Sequence, residues 1–316
     1  MAQTKEISRR IKSIGGIKKI TKAMEMVAAA KMRRAIEAVL RTRTYANLSW
    51  ETVLNLSKTI SNQGSLSLHP LLVKRPEIKK AAIILITSNR GMCGGYNSAI
   101  INKAKDSIKK YSNVETEFIL VGKKGSVLYN QKKTIVAEFD KSDLLSDHQE
   151  VVPVVSLAIK DFLAGKYDKV FVAYTDFISA AKQLPRIKQL LPVDINSEDE
   201  YLGIVSDPKV SVNKQFLEGK NKKHIAKEAG YEYLFEPSPE EVLDKMIPQL
   251  LEVQVYQAML EANASEHSAR MSAMHQATEA ADDMVKELTL FYNKARQASI
   301  TAEIAEISAG ANALLD

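Results

Sequence analysis

Apolar residues at Ile7, Ile11, Ile14, Ile17, Ile20, Met24 and Val27 recur at steps of three and four, which is the spacing of one helix face. The narrowness of that seam predicts a coiled coil. Neither Gly nor Pro occurs from residue 17 to residue 63, enough for a helix of roughly 70 Å at about 1.5 Å per residue. Gly15 and Gly16 are expected to weaken its start, since Gly costs about 1 kcal/mol against Ala inside a helix. Gly64 and its Ser-rich flank are the expected stop.

The other end of the chain has a start signal. Ser238 can cap, Pro239 suits the first helical position and Glu241 completes a capping box. From there to Asp316 the breakers are Pro248 and Gly310; Pro248 is expected to kink the helix or to shift its effective start. Met284, Leu288, Phe291, Ala295 and Ala298 form a stripe at steps of four and three.

Between these ends the period changes. The run Ala81–Thr87 reads as a buried strand, residues 97–111 as an amphipathic helix, 118–121 as a strand and 124–130 as a short helix. Residues 134–139 read as a strand, 151–163 as a helix, 169–174 as a further buried strand and 185–191 as an edge element. Strands alternating with helices predict a small, largely parallel sheet covered on both faces. The fold class expected is therefore α/β: a long antiparallel coiled coil of N- and C-terminal helices plus a small central Rossmann-like domain. Its divisions are 1–63, 76–195, a polar surface insertion and linker at 196–237, and 238–316.

Charge sharpens this picture. Residues 1–46 carry six Lys and six Arg against three Glu, while residues 238–316 carry 13 acids against five bases. Two long helices of opposite charge on one chain are natural partners, and leaving one domain from the same side they must run antiparallel. A basic N-terminus also describes a transit peptide, but this one is too long, too regular and too continuous with the following helix. Cys93 is the single cysteine, which excludes an intrachain disulfide. No apolar run is long enough to span a membrane.

Candidate chemistry is sparse. The turn from Ser88 to Tyr96, between a strand and a helix, invites a phosphate-binding reading. It lacks both the dinucleotide-binding glycine pattern and a P-loop, and Gly122 to Ser126 also fails the P-loop spacing. A tight structural turn is expected instead, with Cys93 a small packed residue. The five His residues lack ligand spacing, so no metal, cofactor or catalytic residue is assigned.

Several motifs together carry a resemblance. The stretch from Lys19 to Ala29 with Lys31-Met32, the turn from Ser88 to Gly95, and Tyr233-Leu-Phe-Glu-Pro237 resemble segments of the gamma subunit of F-type ATP synthases. Ser265-Glu-His-Ser-Ala-Arg270-Met and Tyr292-Asn-Lys-Ala-Arg-Gln-Ala-Ser-Ile-Thr301 are closer still. Glu303, Glu306, Gly310, Ala311 and Ala313 fit that family's C-terminal signature.

The resemblance implies a non-catalytic rotor shaft inside a ring of three alpha and three beta subunits, standing on a ring of c subunits and touching the epsilon subunit. It implies ring contacts at Lys22, Met24, Arg296, Gln297 and Thr301. It implies c-ring and epsilon contacts at Arg43, Tyr45, Tyr233 and Glu236. Peripheral attachment to the cytoplasmic side of a bacterial inner membrane is the expected location. That choice follows from the lack of a presequence and of the cysteine pair that photosynthetic relatives carry. The Lys-rich stretch at 207–228 looks longer than the compact bacterial pattern and is expected to touch epsilon or an acidic surface. A basic nucleic-acid-binding coiled coil and a nucleotide-binding enzyme on the central domain are the alternatives. The first leaves the acidic partner helix unexplained.

Overall fold

The computed structural model describes residues 2–62, 69–110, 114–131, 133–143, 148–193, 236 and 239–312. The chain forms two compact units, one of Met1–Ala29 with Arg270–Asp316 and one of Ala30–Ala269. Helix α1 (Ala2–Asn62) and the last helix, α4 (Pro239–Asn312), each contribute to both. The expected shift of the start by Pro248 does not occur: the helix begins at Pro239 and holds Pro248 inside its span. Ser238, the expected cap, lies outside the described residues, as does the insertion at 196–237 apart from Glu236.

The first unit is an antiparallel helical pair. Lys18 meets Asp282, Thr21 meets Thr278 and Glu25 meets His275, so positions rise on one helix as they fall on the other. The less exposed positions of α1 include 4, 7, 11, 14, 18, 21, 25 and 28, and those of α4 include 271, 274, 278, 281, 285, 288, 292, 295 and 299. Both rows alternate steps of three and four, the 3.5-residue repeat of a left-handed coiled coil.

This corrects the seam read from apolar spacing. Ile17, Ile20 and Val27 are 50%, 61% and 57% exposed, and Met284 and Phe291 are 53% and 54% exposed. The reason is geometric: successive steps of three each fall about 60° short of a full turn, so from Ile14 onward Ile17 and Ile20 wind off the partner-facing side. Lys18, Thr21 and Glu25 take the places that those isoleucines leave.

The second unit is built on a five-stranded sheet of order β3-β2-β1-β4-β5. Strands β1 (Lys80–Ile86), β2 (Glu115–Val121), β3 (Thr134–Phe139) and β4 (Lys169–Ser179) are parallel, and β5 (Lys182–Leu191) closes one edge antiparallel to β4. Alternate residues of β1 serve opposite faces, as a pleated strand requires. Ile83 and Leu85 pack with Ile100, Ile101 and Ala104 of α2 (Tyr96–Lys110). Ala82, Ile84 and Ile86 join Val154, Val155 and Phe162 of α3 (Val152–Leu163). That second core also takes Val39 of α1 and Leu243, Ile247, Leu251 and Val255 of α4. The two long helices are therefore part of the domain core here, with 3₁₀ segments at Lys123–Gln131 and His148–Glu150 completing the cover.

Candidate functional site

The glycine-rich turn is filled by its own side chains. Ser88 N donates to Asn97 Oδ1 at 3.0 Å, Asn97 Nδ2 donates to Ser88 Oγ at 2.7 Å and to Cys93 Sγ at 3.2 Å, and the Ser88 hydroxyl donates to the Arg90 carbonyl at 2.7 Å. Met92 and Gly94 adopt φ values of 61° and 55° to close it. Cys93 is buried at its centre. The turn spends its polar groups on itself, which is how a structural corner differs from a phosphate cradle. Among the described residues no group of His, Cys, Asp and Glu could hold a metal ion.

The more informative surface lies on the helical pair. Its outward side exposes Ile17, Ile20, Met26 and Val27 on α1 and Leu290, Phe291, Ile300, Ile304 and Ile307 on α4. A contiguous helix that turns this many large apolar residues outward is built to be covered. Charge is set among them. Lys22 is exposed and holds Glu25 at 3.0 and 3.1 Å on its own helix. That contact, helped by His275, keeps the Glu25 carboxyl below the ordinary glutamate range, with burial opposing it.

The residues singled out from the sequence separate into groups. Met24 is half-buried beside the seam, at the level of Lys22. Arg296, Gln297 and Thr301 are exposed on α4, and the Thr301 hydroxyl donates back to the Gln297 carbonyl at 3.0 Å. Arg296 lies about 30 Å along the helix from His275, which faces Glu25. These are two surfaces, not one pocket. Tyr45 is 59% exposed on α1 and Glu236 is exposed. Arg43 lies in α1, with its side chain outside the described residues; Tyr233 is outside them altogether.

Spacing alone missed a polar joint in the second unit. Lys141 and Glu266 form an ion pair at 2.6 Å with side chains only 1% and 2% exposed. Removing one partner would strand the other charge in the core, at a cost of about 3–5 kcal/mol. Nearby, Lys31 reaches Asp143 at 2.7 Å. Its bond to Asp143 is the main reason that carboxyl titrates below the ordinary aspartate range, burial opposing it. The only signal in the sequence is the Ser265–Arg270 motif, whose polar residues sit within a helix that is buried on every side from Met259 to Ser268.

With this geometry in place, comparison with known proteins is decisive. A family model described as ATP synthase matches residues 3–314. A protein of Roseiflexus castenholzii named ATP synthase gamma chain is 38% identical over 325 residues, covering 100% of both chains. Another with that name, from Herpetosiphon aurantiacus, is 40% identical over 326 residues, covering 99% of each. The chain belongs to the ATP synthase gamma-chain family.

Solved structures agree on the fold. A chain of the Euglena gracilis mitochondrial ATP synthase, described as OSCP/F1/c-ring, superposes with a TM-score of 0.62 at 18% identity, covering 99% of this chain and 95% of that one. A chain of the Tetrahymena thermophila enzyme, described as central stalk/c-ring, gives 0.56 at 23% identity, covering 82% and 99%. Among the described residues no helix is long and apolar enough to cross a membrane.

Proposed function

We propose that this chain is the central-stalk rotor of an F-type ATP synthase, passing torque between the c ring and the ring of alpha and beta subunits. The carrying observation is the antiparallel helical pair, whose seam mixes polar contacts with apolar residues while further large apolar side chains face outward. Such a pair is stiffer than one helix, and its uneven surface presents a different face to each surrounding subunit. Nucleotide chemistry belongs to the alpha/beta ring, and this chain acts by changing the ring's conformations in turn.

In this reading Lys22 and Met24 meet one level of the ring and Arg296, Gln297 and Thr301 meet another. Arg43, Tyr45, Tyr233 and Glu236 serve the foot, against the c ring and epsilon. Residues 1–63 and 238–316 form the shaft, 76–195 the base and 196–237 an insertion. The complex is held peripherally on the cytoplasmic side of the cell's inner membrane. The deciding experiment is co-purification with alpha and beta subunits, with the complex mass and ATPase rate measured. One copy per ring, with no ATPase activity in this chain alone, is expected. A chain that stays free of the ring, or hydrolyses ATP by itself, overturns the reading.

A further inference from the structure

Each of the three residues that follow Asp140 is tied to a long helix. Lys141 pairs with Glu266 and accepts a hydrogen bond at its carbonyl from Asn89. The Ser142 carbonyl accepts from Asn263 at 3.2 Å. Asp143 takes Lys31 of α1 on its carboxylate at 2.7 Å and His267 of α4 on its carbonyl at 3.2 Å. At about 100° per residue, positions 263, 266 and 267 share one face of α4.

Positions 265 and 268 fall on the opposite face. There the Ser265 hydroxyl donates to the Thr175 carbonyl at 3.0 Å, and the Ser268 hydroxyl donates to the Ala180 carbonyl at 2.7 Å. Gln183 Nε2 donates to Ser268 Oγ at 3.2 Å. A turn and a half of α4 is thus gripped from both sides, by residues 141–143 and by the β4–β5 hairpin.

Apolar burial holds a helix at a given depth but is non-directional. Hydrogen bonds are directional, and bonds on opposite faces fix the angle of a helix about its own axis. We infer that residues 263–268 are a collar through which twisting load passes between α4 and the α/β domain. Lys141 and Glu266 on one side, with Ser265 and Ser268 on the other, are the positioning residues that stop the helix slipping. The inference rests on the rotor reading above and assigns that reading a point of torque transfer away from both the alpha/beta ring and the c ring.

The test uses the complete synthase in sealed vesicles, carrying either Lys141→Met with Glu266→Leu or Ser265→Ala with Ser268→Ala. The first removes both charges together and fills their volume, a replacement that buried ion pairs tolerate. The second removes only hydroxyls. Hydrolysis without an opposing gradient and the melting temperature should stay near those of the parent. Gradient-driven synthesis relative to hydrolysis should fall by about threefold, and further as the opposing phosphorylation potential is raised. A merely structural role would lower stability and hydrolysis without this dependence on load. An unchanged ratio at every load overturns the collar; if the charge variant does not assemble, the serine variant decides by the same ratio. A parent chain that fails to join the ring refutes the rotor reading instead.

Discussion

Lys18 and Asp282 are 264 positions apart in the chain, and their side chains meet at 2.5 Å. Lys286 binds the other carboxylate oxygen at 3.0 Å from one turn along the same helix. Asp282 is therefore shared between the two helices, and its contact fixes how far one has slid along the other. The Lys18 bond first, and Lys286 second, hold its carboxyl below the ordinary aspartate range.

The sign of the pH effect follows. A depressed folded value means that the stabilisation is present above the unfolded aspartate value of about 3.9 and is lost as pH falls through the folded value. Asp282→Asn should lower the melting temperature at neutral pH and converge on the parent in strong acid. The difference should shrink in high salt, because the pair is exposed to solvent and screened. Melting curves across pH and salt check this. A difference that persists undiminished in acid would mean that Asp282 contributes through packing, not charge.

Gly15 and Gly16 stand inside a helix that continues through them from Ala2, and a Cβ at either would meet nothing within 4 Å. The start of the helix is thus present despite its glycines, held by the partner helix. Gly15→Ala and Gly16→Ala should each stabilise the chain by about 0.5–1 kcal/mol. Denaturant titration of the single and double variants measures it, and a loss of stability would show that the backbone there needs glycine's freedom.

What could be read from the sequence divides by range. The central strands were legible because buried parallel strands are largely apolar: β1 begins at Lys80 and β4 at Lys169, within a residue of the pattern. The seam was legible only in kind. Its true members include Lys18, Thr21 and Glu25, while Ile17 and Ile20 face outward, and a reading that equates apolar with buried fails on a surface made to meet other subunits. The Lys141–Glu266 pair left no local trace, since its partners are 125 positions apart. Lys22, Arg296, Gln297 and Thr301 came from likeness to a family, and the structure places them at the surface.

Gly122 closes the turn after β2 with φ of 96°, and a Cβ there would overlap the Thr87 carbonyl. Thr87 cannot retreat, because its N–H and hydroxyl are both bonded to the chain around Val121 and Gly122. Gly122→Ala should cost about 2–4 kcal/mol. Gly91→Ala, where a Cβ meets nothing within 4 Å, should stay within about 0.5 kcal/mol. Denaturation midpoints of the two variants provide the comparison, and equal midpoints would contradict the crowding at Gly122.

Arg296 separates folding from function most cleanly. It lies exposed on α4 between Ala295 on the seam and Gln297 on the outer surface, so truncating it removes nothing from a core. Arg296→Ala should leave the isolated chain within about 0.5 kcal/mol of the parent. If a surrounding ring reads this side of the shaft, the guanidinium is worth most there, because its fixed fork of donors suits planar acceptors on another subunit. Coupled synthesis by the assembled complex should then fall while the melting temperature of the free chain does not. The two measurements must be made together: a fall in both would place Arg296 in the fold, and no fall in coupling would remove it from the contact surface and leave the outward apolar residues to carry the interaction.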